Sequence, residues 1–143
     1  MNNHVKTTND SVTRLWVNDQ SKDDQAVLDW LSNHSFAGRQ NDIFKRMASG
    51  TGDWLLKTEA FMKWQLSREK ALWCPGIPGA GKTVLASYIV NHLKGSFARE
   101  KAGIAYVYCN YKEPNQTAET LVAALVRQLL QHRGSIPGEL REM

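Results

Sequence analysis

The stretch Lys70 to His92, KALWCPGIPGAGKTVLASYIVNH, decides how the rest of the chain is read. Inside it, Gly76-Ile77-Pro78-Gly79-Ala80-Gly81-Lys82-Thr83 fills the pattern G-x-x-x-x-G-K-[ST], a phosphate-cradling loop that opens a helix. Just before it, Ala71-Leu72-Trp73-Cys74 is a short apolar run that predicts a buried strand. After it, Val84, Leu85, Tyr88, Ile89 and Leu93 recur at helical spacing.

Each residue type in the loop answers a physical need. A nucleoside triphosphate carries several negative charges. A helix N-terminus offers unpaired N–H groups and the positive end of the macrodipole. Gly76, Gly79 and Gly81 allow backbone conformations closed to other residues, so the N–H groups can curl inward. Pro78 has no N–H, which leaves Gly79, Ala80, Gly81, Lys82 and Thr83 as the expected donors. Lys82 is a flexible point charge suited to the β- and γ-phosphates. The Thr83 hydroxyl is suited to ligating Mg²⁺. The expected cofactors are therefore ATP or GTP with Mg²⁺.

Outward from the loop, the pattern is strand, loop, helix, strand, helix. The second expected strand is Gly103-Ile104-Ala105-Tyr106-Val107-Tyr108-Cys109, rich in β-formers. Asn115-Gln116-Thr117 predicts the next helix start, and Leu121, Val122, Leu125, Val126, Leu129 and Leu130 are its expected apolar face, with Gly134 as its stop. Alternating strands and helices predict an α/β fold with a parallel sheet, here two βα units, preceded by a helical N-terminal segment.

Upstream, residues 1–13 read as a disordered polar leader and 14–69 as a helical segment. Arg14-Leu15-Trp16-Val17 is a short apolar patch. A helix is expected from about Asp23 to Asn33 with Ala26, Val27, Trp30 and Leu31 on one face. A second is expected over Gln40 to Ala48, burying Ile43, Phe44 and Met47, with Ser49-Gly50-Thr51-Gly52 breaking it. Thr58 predicts an N-cap for a helix carrying Phe61, Trp64 and Gln65. Trp16, Trp30 and Trp54 are expected to pack against the α/β part.

The 143 residues are long enough for one cored domain. The net charge of +4 is uneven: residues 1–69 hold nine Lys/Arg and nine Asp/Glu, while 70–143 hold nine and five. The excess lies on the half with the loop, which suits an anionic ligand. Basic residues are scattered and no aromatic-interleaved basic stripe occurs, which argues against nucleic-acid binding. No apolar run reaches the length of a membrane span, and residues 1–13 lack the apolar core of a secretory signal. The triplets at Asn9, Asn33 and Asn115 fit the glycosylation pattern, but without such a signal they carry no expectation. Cys74 and Cys109 are spaced for neither a metal site nor a redox pair, so buried thiols in a cytoplasmic, soluble chain are expected.

Taken together, Thr51-Gly52-Asp53-Trp54-Leu55-Leu56, Phe61-x-x-Trp64, LWCPGIPGAGKTVLAS, AYVYCNY and TAETLVAALVRQLL resemble the start of a NACHT-type domain. The closest flavour is the fungal nephrocystin-like group of STAND P-loop NTPases, and the resemblance spans roughly residues 12–143. It implies a nucleotide-dependent switch within a long signalling protein, with 70–143 as an incomplete P-loop NTPase domain and a longer NACHT relative as a partner. The family's acidic strand end, which holds Mg²⁺ through water, has no counterpart: no Asp follows Lys82, and Glu113 is separated from the apolar run by Tyr111 and Lys112. The sensor and winged-helix residues are likewise unmatched. Binding with little or no hydrolysis is the expectation. The alternatives are an active ATPase, GTPase or kinase using an acid such as Glu113, and a non-catalytic interaction module. Thr51 and Trp54 are candidates for approach to a base, with Trp54 as a core anchor the blander reading.

Overall fold

The structure is a computed structural model that describes residues 22–67, 71–98, 100, 102–133 and 136–140. The leader 1–13, the patch at Arg14–Val17 and the expected stop at Gly134 lie outside the described residues. The described elements are α1 (22–31), α2 (Ala37–Arg46), α3 (Asp53–Leu56), α4 (Glu59–Leu66), α5 (Lys82–Ser96), α6 (Ala118–Arg133) and a 3₁₀ turn (Gly138–Leu140).

The expected parallel sheet is absent. Among the described residues there is no strand, and the fold is all helical rather than α/β. Residues 71–77 and 102–110 are irregular, without a ladder. The physical reason is that β-forming, apolar residues are necessary for a strand but do not suffice: each N–H and C=O needs a neighbour's partner group. Leu72 is half-buried, but Trp73 is 85% exposed and Cys74 is exposed, so the run expected to be a buried strand lies largely in solvent. Both thiols are free and exposed, against the expectation of burial.

The chain divides into two compact units, 1–34 with 109–143, and 35–108. In the first, Leu28 of α1, Ala124 of α6 and Ile136 are buried. The Arg127 guanidinium donates to the Ser32 carbonyl and to the Asp29 carboxylate, the latter at 2.9 Å. Asp29 also accepts from Gln25 Nε2 at 2.9 Å. Helix α6 starts as expected at Thr117. Its hydroxyl accepts from Thr120 N at 3.3 Å while Thr117 N donates to Thr120 Oγ1 at 2.9 Å, a reciprocal cap with Thr in the place usually held by Glu. The face of α6 differs from the apolar pattern: Ala124 is the buried residue, while Val122, Val126 and Leu129 are exposed. Trp30 is also exposed rather than packed.

In the second unit, α2 packs on α5, and each helix buries one polar residue, Gln40 and Ser87. Ile43, Phe44 and Met47 are half-buried. Thr58 caps α4 as its sequence predicts, accepting from Phe61 N at 3.2 Å. Phe61 is 1% exposed, with its ring 5.5 Å from that of Trp64 and 5.9 Å from that of His92. Gly50 breaks the chain after α2 with φ 77°, and Thr51 N donates to Ala48 O at 3.3 Å. Trp54 is exposed, so it is not a core anchor.

Candidate functional site

The loop begins with a turn closed by Ala80 N donating to Ile77 O at 3.2 Å. Its central residues are Pro78 and Gly79, and Gly79 has φ 81°. Proline followed by a glycine of positive φ is the type II arrangement, in which the second position excludes ordinary side chains. Gly81 also has φ 81° and is the residue from which α5 springs. The chain thus turns left-handed twice within three residues, which only glycine does without strain.

These turns bring Gly76 back over the end of the loop. A Cβ on Gly76 would lie 3.3 Å from the Ala80 methyl and 3.6 Å from Cγ and Cδ of Lys82. The loop is curled, not stretched. Its lysine lies across it: Lys82 Nζ donates to the carbonyls of Gly76 at 2.7 Å and Ile77 at 2.9 Å. Two of the three ammonium donors are thereby engaged with the loop's own backbone.

The helix that follows has no side-chain cap, and its first backbone bond runs from Leu85 N to Gly81 O at 3.0 Å. The N–H groups of Lys82, Thr83 and Val84 therefore have no acceptor one turn back. Ala80 N–H, expected among the donors to a ligand, is instead committed to the turn. Gly76, Gly79, Ala80, Lys82 and Thr83 are exposed and Gly81 is half-buried, so the six residues form one accessible surface of about one turn.

Two contacts hold α5 in place behind the loop. Ser87 is fully buried against α2, where Gln40 Nε2 donates to its carbonyl at 2.9 Å. The Tyr108 hydroxyl donates to Gln40 Oε1. One residue along, Tyr88 donates its hydroxyl to Asp53 at the start of α3. That carboxylate holds the Tyr88 phenol above its ordinary value. Gly52 lies so close that a Cβ there would fall 2.2 Å from the Tyr88 ring. Apolar periodicity missed Gln40, Ser87 and Gly52; the signal available was a Gly-Asp pair facing a tyrosine on the loop's own helix.

Thr51 and Trp54 flank this contact. The Thr51 hydroxyl donates to Ala48 O at 2.6 Å, closing its own turn. Glu113, the alternative acid, sits in an exposed turn of the other unit, where Glu113 N donates to Asn110 O at 3.0 Å. A cleft of about 410 Å³ lies in that same unit, lined by Trp30, His34, Glu119 and Ala123 among others, and takes no residue from 76–83. Unlike this cleft, the loop combines an ammonium with unpaired helix-start amides.

A family model, nephrocystin 3, N-terminal, matches residues 50–143. The chain belongs to that family. The matched nephrocystin 3 N-terminal region takes in α3 to α6, and so contains the loop, Tyr88 and its partners at Gly52 and Asp53. Comparison with curated proteins and with solved structures gives no match. Among the described residues, no helix is long and apolar enough to cross a membrane, and no group of three or more His, Cys, Asp or Glu could hold a metal ion.

Proposed function

We propose that this nephrocystin 3 N-terminal region binds a nucleoside triphosphate, ATP or GTP, through residues 76–83, as the nucleotide-binding segment of a cytoplasmic NACHT-type signalling switch with little or no hydrolysis of its own. The observation that carries this reading is the pair of left-handed glycines at 79 and 81, which curl the chain into an uncapped 15-residue helix headed by Lys82. Amides, dipole and ammonium then all favour one anion at one place.

The residues also fit a magnesium ion carried by the nucleotide. Thr83 stands exposed on the first turn of α5, one residue beyond Lys82, and a hydroxyl there supplies a hard oxygen ligand alongside phosphate oxygens. The metal would neutralise phosphate charge; the chain's own part is to hold and orient the polyphosphate. Positioning and neutralisation favour binding, whereas hydrolysis also needs an acid to order water.

Titration of a fluorescent nucleotide into the whole chain, with and without Mg²⁺, tests the reading. Saturable binding that tightens with Mg²⁺ is expected, and Lys82→Ala should weaken it by at least about tenfold. Equal affinity in the wild-type chain and the Lys82→Ala variant, at equal helix content by circular dichroism, would refute the site.

A further inference from the structure

Helix α6 carries a second pattern that the nucleotide reading does not use. Glu119, Val122, Val126, Leu129 and Arg133 follow one another at spacings of three, four, three and four residues. That is the seam spacing of two helices wound on each other. The three apolar members are 57%, 38% and 45% exposed, while Ala124, on the opposite face, is the residue α6 buries in its own unit. The helix therefore has one face packed within its unit and another whose apolar residues that unit leaves uncovered.

The seam is apolar in the middle and carries opposite charges at equal distances from its centre. Val126 stands in the middle, with Val122 and Leu129 on either side and Glu119 and Arg133 each seven residues away. A parallel copy would set Glu119 against Glu119 and Arg133 against Arg133. An antiparallel copy sets each carboxylate against a guanidinium and opposes the two macrodipoles. A self-complementary patch of this kind is what a twofold interface requires.

We propose that two copies of this chain associate through α6, antiparallel about a twofold axis at Val126, with Glu119 of each facing the partner's Arg133. The 16-residue helix is about 24 Å long, so the interface is small and the pairing weak and concentration-dependent. It does not depend on nucleotide.

Analytical ultracentrifugation of the full chain tests this. A monomer–dimer equilibrium with a dissociation constant on the order of 10 μM is expected. Val126→Arg should leave only monomer, because two cations would meet at the axis. Glu119→Arg and Arg133→Glu should each weaken pairing about tenfold, and the two together should restore it. Circular dichroism should show equal helix content in all four variants. A wild-type chain that stays monomeric at roughly 200 μM overturns the proposal, because dimer would predominate there at that dissociation constant. A dimer indifferent to Val126→Arg, or a double reversal no better than the single ones, overturns it equally.

Discussion

Gln40 and Ser87 exchange hydrogen bonds between two helices: Gln40 Nε2 donates to the Ser87 carbonyl at 2.9 Å, and Ser87 Oγ donates to the Gln40 carbonyl at 3.3 Å. Both residues are buried. A small side chain at 87 lets α2 approach α5 closely, and the amide satisfies the polar groups this approach removes from water. Replacing Gln40 by Ala leaves the Tyr108 hydroxyl without that acceptor. We expect a loss of about 2 kcal/mol in unfolding free energy, measured by urea titration. A loss under about 0.5 kcal/mol would mean that water replaces the amide at little cost.

Gly52→Ala should be costly for a steric reason. The new methyl would meet Tyr88 near the root of its ring, at 2.2 Å from Cδ1 and 2.5 Å from Cγ, where a rotamer change gives little relief. A destabilisation of about 2 kcal/mol is expected. Tyr88→Ala should remove most of the added cost, so a double-mutant cycle should show coupling above about 1 kcal/mol. Additive effects would show that α3 is free to move away.

Alkaline pH should loosen the second unit. Burial holds the Tyr108 phenol above its ordinary value of 10.0, with a Ser87 hydrogen bond pulling the other way. A group raised on folding contributes stability that is whole below its unfolded value and is lost as pH climbs through its folded value. Unfolding free energy should therefore fall above about pH 10, and Tyr108→Phe should flatten that fall. An equally steep fall in Tyr108→Phe would assign the effect elsewhere.

What the sequence disclosed depends on the range of the interaction. Thr58 and Thr117 announce helix starts because a cap is made three residues away. The turn at Pro78 and Gly79 is equally local, and so was legible. Gly103 to Cys109 has the residue types of a strand because side-chain type is local, whereas a ladder is supplied by residues elsewhere in the chain. Ser87 and Gln40 escaped because apolar periodicity ignores polar residues that satisfy each other. Trp73 and Trp54 show that hydrophobicity does not by itself mean burial, because large apolar side chains also stand in solvent. At the loop, the six named residues were legible as one stretch, while the tether from Lys82 to the Gly76 and Ile77 carbonyls was not.

That tether has a thermodynamic corollary. With its own ammonium acting as a clasp, the bend at 76–82 is already made, so under the proposed function little chain entropy would remain to be lost on binding an anion. A phosphate bound as proposed would have to exchange acceptors, drawing the side chain off two peptide oxygens that water can then solvate.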